Sequence, residues 1–403
     1  MSQAPPDLAP DGPFALPRAA LDAVRARFAE RLAEGLAADG RELRALPTFL
    51  APPRAGLTGR ALVVDTGGTN VRAAIVDLGA APRVVAGPRT MRLPDGRDAP
   101  LDARAFWDAH AALVLELGPP EALEGLPLGF CFSYPAETLP SRDARLLRWT
   151  KGIQVAGVEG AAVGAALVDA LARRGARVGA PTVVNDTVAS LLAGAARAAD
   201  PRASVGLIVG TGHNLASFFA RDALTKLGPR GASANDAADA MAVNLEAGNF
   251  TPPHLTALDD AVDRASINAG TQRLEKAVSG FYLPKLLQAA HGVDAIGADD
   301  TRALTDRAQA FARGLDPSPL ARDAHALVQR SADLVAAVVA GVIDRHPRDA
   351  RITVLAEGGL FWGAPGYPAA FEATLAALLG AARVDVLRVD DANLFGAAAA
   401  ALA

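Results

Sequence analysis

The residues best suited to chemistry lie in Leu62-Val63-Val64-Asp65-Thr66-Gly67-Gly68-Thr69-Asn70-Val71-Arg72. An apolar run meets a carboxylate, then a glycine turn with a hydroxyl and an amide, then a second apolar run. A related pattern returns in Val205-Gly206-Leu207-Ile208-Val209-Gly210-Thr211-Gly212-His213-Asn214. Glycine turns offer backbone N–H groups to an anion. Glycine also permits close approach and turn dihedrals closed to other residues. Two such hairpins predict a site that grips phosphate from both sides. Between them, Thr182-Val183-Val184-Asn185-Asp186-Thr187 carries a buried strand into a carboxylate, the usual place of ligand sites in α/β sheets. Asp186 could accept the proton of a hydroxyl attacking phosphorus. The same three polar residues suit a helix N-cap, and their spacing does not choose.

Short polar groups also flank apolar strands in Phe132-Ser133-Tyr134-Pro135 and Arg148-Trp149-Thr150-Lys151-Gly152. They suit the hydrogen bonding of a polyol, or ordinary turns. Glu246 and Glu275 could accept sugar hydroxyls, although an isolated Glu on an amphipathic helix is normally a solvated charge. Trp149 reads as packing. The single cysteine, Cys131, sits in an apolar run and reads as a small buried hydrophobe.

These residues need scaffolding. Leu21, Val24, Phe28, Leu32 and Leu36 recur at helical steps after Pro17, with Gly40 as the stop. Residues before about Pro13 read as disordered, and Pro47 with Pro52-Pro53 as a linker. Leu62–Asp65, Val71–Asp77 and Arg83–Ala86 predict a three-stranded meander, followed by a helix over Ala105–Leu117 and a buried strand over Leu126–Phe132. A helix over Gly160–Arg174, strand Thr182–Asn185 and a helix through Ala198 precede a second meander from Val205. Helical pattern then dominates Pro284–Asp344, before strands Ile352–Ala356 and Val384–Val389 and an Ala-rich helix from Asn393. A strand–glycine turn–strand opening followed by alternating elements thus occurs twice, which predicts duplicated α/β domains facing a cleft.

The length of 403 residues exceeds the roughly 250–300 that one core sustains, again favouring two domains. A net charge of -4 gives no reason to expect nucleic-acid binding, and Arg173-Arg174 reads as a solvated helix end. The N-terminus lacks a secretory pattern. The longest candidate membrane segment, Leu334–Ile343, falls short of the ~20 residues a span needs. With one cysteine fitting a reducing compartment, the expectation is a soluble cytoplasmic protein without membrane or nucleic-acid partners.

Taken in order, these fragments resemble the eukaryotic-type hexokinase/glucokinase family, from Leu46-Pro47-Thr48-Phe49 onward. Leu147-Arg148-Trp149-Thr150-Lys151-Gly152, Val184-Asn185-Asp186-Thr187-Val188, Ile208-Val209-Gly210-Thr211-Gly212 and Glu275-Lys276-Ala277-Val278-Ser279-Gly280-Phe281-Tyr282-Leu283 carry the likeness. The resemblance implies an α/β fold of two RNase-H-like (actin-like ATPase) domains flanking a deep cleft. Residues 58–185 plus 391–403 would form the small domain and 13–57 plus 186–390 the large one. It implies transfer of the γ-phosphate of ATP to the 6-hydroxyl of glucose or a related hexose, with Asp186 as general base and Lys151 beside the reacting oxygen. Ser133, Thr150, Lys151, Asn185, Asn214, Glu246 and Glu275 fall on sugar-contacting positions. Asp65, Gly67, Gly68, Thr69, Asn70 and Arg72 match the first phosphate motif, and Gly210, Thr211 and Gly212 the second. Gly358, Gly359 and Gly396 fall in the adenosine segments. Asp65 would orient Mg²⁺ through water.

The chain departs from the family at Ala247, where a Trp is usual, which predicts a roomier pocket wall. It departs also at Glu357-Gly358-Gly359 and at Asp391-Ala392-Asn393-Leu394-Phe395-Gly396, both on the nucleotide side. His213 sits where the family varies and reads as a tolerated substitution rather than a phosphate contact. A donor such as ADP or polyphosphate, a catalytically silent hexose sensor, and an actin- or chaperone-like ATPase are the alternatives.

Overall fold

The computed structural model describes residues 13–97, 99–229, 238–292, 300–380 and 383–403. The disorder expected before Pro13 lies outside the described residues, apart from its boundary. Helix α1 (Arg18–Ala37) follows the expected period, and Leu21, Val24, Phe28, Leu32 and Leu36 are all buried. In the expected linker, Leu46–Pro47 forms a short edge strand, β1, because Leu46 and Pro47 pair with Asn244 and Val243. An edge is where a strand tolerates proline.

The first half builds one sheet. Strands β2 (Arg60–Thr66), β3 (Asn70–Asp77) and β4 (Arg83–Arg92) form the meander. Strand β5 (Leu101–Asp102) enters helix α2 (Ala103–Leu115), capped by the Asp102 side chain. Strand β6 (Leu128–Phe132) follows, then the hairpin β7 (Ala136–Thr138) and β8 (Ala144–Leu146), and β9 (Val155–Ala156). Helix α3 (Val163–Arg173) has no cap of its own; the buried Asp143 carboxylate accepts from Gly164 and Ala165 N–H at 2.8 Å each. Strand β10 (Pro181–Val184) leads directly into α4 (Asp186–Ala195).

The second half repeats the plan. Strands β11 (Ser204–Val209), β12 (His213–Ala220) and β13 (Ala240–Asn244) form a meander. Helices α5 (Ala257–Arg264), α6 (Arg273–Val278), α7 (Leu283–His291), α8 (Thr301–Ala312) and α9 (Pro319–Ile343) follow. Then come β14 (Ile352–Glu357), α10 (Gly359–Gly363), α11 (Tyr367–Leu379), β15 (Val384–Leu387) and α12 (Ala392–Leu402). The sheets run β10-β6-β2-β3-β4 and β1-β13-β12-β11-β14-β15. In each, an antiparallel meander continues into two parallel strands beyond its first member. The expected duplication is therefore one of topology, not only of motif.

Side chains alternate between cores, as a period of two requires. On β2, Leu62 and Val64 enter the first-half core, while Ala61 and Val63 face a middle core. On β12, Leu215 and Phe219 enter the second-half core, while Ala216 and Phe218 face the middle one. Helices α4 and α12 fill that middle layer between the sheets. Three glycines set its thickness. A Cβ on Gly129 of β6 would lie 2.1 Å from the Ala397 carbonyl of α12. One on Gly396 would lie 1.8 Å from the Ala189 carbonyl of α4, and one on Gly206 of β11 would lie 2.5 Å from the Thr187 carbonyl.

Helix α9 corrects one expectation. The apolar stretch ending at Ile343 belongs to a 25-residue helix that is long and apolar enough to cross a membrane by length and composition, with 83% of its apolar window buried inside the protein. Ser318 caps it through the Ala321 N–H at 3.2 Å, and Arg330, on its buried face, pairs with Asp259. Pairing of that charge lets the helix run past the point where the sequence pattern turns polar.

Candidate active site

The parallel strands deliver their C-terminal ends to one place. Asp65 on β2 and Val184 on β10 both register against Cys131 on β6, and Thr66 registers against Phe132. Ser133, Asn185 and Asp186 therefore emerge side by side. In the other sheet, Val209 registers against His213 across the second glycine turn, and Ile208 against Glu357 at the end of β14.

Asn185 takes the capping role that competed for Asp186. Its side chain accepts from Thr187 N–H at 2.9 Å, and Asp186 is the first helical residue. Asp186 Oδ1 accepts from the same N–H at 2.8 Å and from the Thr187 hydroxyl at 3.3 Å. Burial pushes the Asp186 pKa up, Lys151 opposes the rise, and Asp65 adds to it. A carboxylate with a raised pKa beside a lysine is suited to taking a proton at neutral pH.

The expected polyol-binding residues gather around it. Lys151 Nζ donates to the Ser133 carbonyl at 3.3 Å and stands 5.2 Å from the centre of the Tyr134 ring. Asn214 Nδ2 donates to Asn244 Oδ1 at 2.8 Å, and Asn244 Nδ2 donates to Glu246 Oε1 at 2.9 Å. Glu275 Oε2 accepts from His213 N–H at 3.1 Å. Burial raises the pKa of both glutamates, and each feels other charges of the group: Glu246 feels Asp186, while Glu275 feels Glu246 and Lys151. Neither is the solvated surface charge that isolated spacing suggests. Glu246 follows the end of β13, and Glu275 lies on the short α6 turned inward. Lys151 and Glu246 hold left-handed φ values of 59° and 54°, strain that non-glycine residues carry where surrounding structure fixes them. Thr150 lies at this loop and its carbonyl accepts from Ile153 N–H at 3.3 Å.

On the phosphate side, Arg72 donates to Asp65 Oδ2 at 2.7 Å and to Asp391 Oδ1 at 2.7 Å. Asp65 Oδ1 is buried without a hydrogen-bond partner. That orphaned oxygen fits a water of a hydrated Mg²⁺. No cluster of three metal-binding side chains occurs among the described residues. Thr69 and Asn70 close the turn, with Gly67 N–H donating to the Asn70 carbonyl at 3.0 Å and Leu93 N–H to the Thr69 carbonyl at 2.8 Å. In the second turn, Gly210 N–H donates to the Gly212 carbonyl at 2.9 Å, with Thr211 between them.

The turn glycines correct their expected reason. Gly67, Gly68, Gly210 and Gly212 do not adopt left-handed φ values; what they supply is space. A Cβ on Gly68 would lie 3.1 Å from Lys151 Cδ, and one on Gly212 2.9 Å from Glu275 Oε2. Gly358 does adopt φ 115°, and a Cβ there would lie 2.2 Å from the Val209 carbonyl. Gly359 has open space around it. Gly396, expected at the adenosine, is buried in α12 against α4, so its missing side chain serves helix packing. Ala247 is fully buried in the second-half core, so the small residue does not open a pocket wall. His213 is buried, its Nδ1 donates to the Ile208 carbonyl at 3.0 Å, and burial lowers its pKa to about 4. Trp149 packs edge-on to Tyr134 and donates to the Val155 carbonyl.

Sequence reasoning did not single out Asn244. Its position at the end of an apolar strand, directly before the turn that carries Glu246, was the available signal. It also left Glu357 without a role. Burial raises the Glu357 pKa to about 7, with Arg72 opposing and Asp186, Asp391 and Asp65 reinforcing the shift. A surface cavity of about 600 Å³ lined by Arg60, Arg83 and Leu117, among others, contains none of these residues.

Duplicated sheets with a charged site between paired glycine turns define the actin-like ATPase superfamily. Two hexokinase family models match the chain, one over residues 11–196 and the other over 204–292 and 293–403. The chain belongs to the hexokinase family. It is 34% identical to human hexokinase-3 over 289 residues, covering 68% of this chain and 30% of that protein. It is 31% identical to hexokinase-2 of Saccharomyces cerevisiae, covering 69% of this chain and 58% of the relative. The match to rice hexokinase-1, at 31% identity, covers 96% and 89% respectively. The matched region thus spans less than two thirds of the human and yeast proteins. Among solved structures, a Schistosoma mansoni hexokinase complexed with glucose superposes with a TM-score of 0.78 at 26% identity, covering 97% of this chain and 96% of that one.

Proposed function

We propose that the protein is a hexokinase that transfers the γ-phosphate of ATP to the 6-hydroxyl of glucose or a closely related hexose. The observation that carries the reading is the convergence of Asp186, Lys151, Glu246 and Glu275 between the two glycine turns. The glucose in the S. mansoni structure and the family membership support the same acceptor. The two sheets, with α12 assigned to the first, support domains of 58–185 plus 391–403 and 13–57 plus 186–390. The free, buried Cys131 supports a reducing, cytoplasmic location.

In this reading Ser133, Thr150, Asn185 and Asn214 offer hydroxyl and amide groups to the sugar, and Glu246 and Glu275 accept from its hydroxyls. Asp186 takes the proton of the 6-hydroxyl as its oxygen bonds to the γ-phosphorus. The bond from that phosphorus to the leaving nucleotide oxygen breaks in line. Lys151 balances charge at the reacting oxygen, and the two turns hold the phosphates. Magnesium, when bound, neutralises charge across the phosphate oxygens, with Asp65 as the residue that would hold it through water.

A coupled assay of hexose 6-phosphate formation tests this, run across hexoses and across ATP, ADP and polyphosphate donors. Asp186→Ala is expected to lower kcat by about 10²–10⁴-fold. Absence of turnover by the wild type in every combination, or an unimpaired variant, would overturn it.

A further inference from the structure

The first phosphate turn is held from behind by side chains outside the phosphate motif. Tyr134 donates its hydroxyl to the Gly67 carbonyl at 2.8 Å. Ser133 N–H donates to the Thr66 carbonyl at 3.1 Å. His110 is fully buried, and its Nδ1 donates to the Phe106 carbonyl at 2.9 Å. That bond fixes the tautomer, leaving Nε2 to accept from the Thr66 hydroxyl at 3.2 Å. Burial holds the His110 pKa at about 4 and raises that of Tyr134. His110 therefore stays a neutral acceptor and Tyr134 a donor across the physiological range.

The Gly67–Gly68 peptide is planar and trans, so its carbonyl and N–H point in opposite directions. A carbonyl drawn toward Tyr134 sends the Gly68 N–H out of the turn on the other side. Among the described residues that N–H has no backbone acceptor. We infer that Tyr134 is a positioning residue for the nucleotide phosphates: its hydroxyl fixes the peptide that presents the Gly68 N–H to the transferred anion. Without that hydroxyl the two glycines are free to rotate the peptide, turning a carbonyl oxygen toward the phosphate. Tyr134 also ties this turn to the acceptor side. It follows Ser133 directly, and Lys151 lies over its ring while also packing at Gly68. The inference rests on the proposed phosphoryl transfer for its kinetic reading only.

The test is Tyr134→Phe in the full chain, which keeps the ring and its packing. The nucleotide KM is expected to rise about five- to tenfold, the effect of one lost hydrogen bond at a charged ligand. Glucose KM and the thermal midpoint are expected to stay at wild-type values, a split that a merely structural residue would not produce. Calorimetric titration with a non-hydrolysable ATP analogue should give the same ratio without turnover. Thr66→Val, which leaves the buried His110 Nε2 without its donor, should raise the nucleotide KM about two- to threefold with glucose KM unchanged, together with a lowered thermal midpoint. Nucleotide constants within twofold of wild type in both variants, or equal losses for sugar and nucleotide, would overturn the inference. If the wild type binds the analogue but phosphorylates no hexose, the proposed activity fails while the calorimetric comparison still decides the role of Tyr134.

Discussion

The two glycine turns share a motif and differ in what holds them. Side chains brace the first: Tyr134 on the Gly67 carbonyl, His110 on the Thr66 hydroxyl, Lys151 over Gly68. Close backbone approach dominates at the second, beside a side-chain contact, the Glu275 carboxylate on His213 N–H. Gly280 N–H donates to the Gly210 carbonyl at 2.8 Å, and Gly358 lies against the Val209 carbonyl. One motif can thus be stabilised by adjustable side-chain contacts or by close backbone approach, and the consequences for mutation differ.

Alanine substitutions should expose that difference. The largest effect is expected for Gly358→Ala, where the added Cβ meets a carbonyl at 2.2 Å and φ is 115°. Backbone strain and overpacking together predict a loss of about 3 kcal/mol, measured by denaturant unfolding, with nucleotide affinity lost alongside. Gly68→Ala should be milder. Its Cβ would meet the Lys151 side chain at 3.1 Å, which can move aside. The expected outcome is normal stability with about tenfold lower kcat, as the lysine is displaced from the reacting oxygen. Equal stability losses at the two positions would erase the distinction.

The smallest effect concerns charge shared between the turns. Glu357, beside the second, has its pKa raised from 4.5 to about 7, and among the charges that shift it are Asp65 and Arg72 of the first. The folded state therefore holds this proton more tightly than the unfolded chain. The stability it contributes is complete below about pH 4.5 and is lost as pH rises through about 7. Glu357→Gln should remove that loss. Its thermal midpoint should exceed that of wild type above pH 7, and the gap should close toward pH 5. A gap independent of pH would show that the folded state, chiefly by burial, does not raise the Glu357 pKa.

Much of the fold was legible because most strands are buried on both faces and read as continuous apolar runs between turn residues. The helix over Arg18–Ala37 was visible in its spacing alone. The resemblance carried most of the site, whereas spacing alone misjudged Glu246 and Glu275. A helical or strand period reports which face of an element is apolar, not which other element stands opposite a polar residue. The same limit explains Ala247 and Gly396, whose small size answers to neighbours distant in sequence. It also explains Tyr134 and His110, whose polar atoms act on a turn formed some forty or more positions earlier in the chain.

The glycines of the middle layer acquire a meaning at a distance. Gly129, Gly396 and Gly206 lie along the path from one sheet through α12 and α4 to the other, each at a contact too close for a methyl group. Asp65 rides on the first sheet, and Thr211 and Glu357 on the second, while Asp186 opens the helix between them. The layer thus works as a gauge block: its thickness sets how far apart the two phosphate turns stand. A methyl group added deep in this sandwich, with no view of the cleft, would change the width of the jaws.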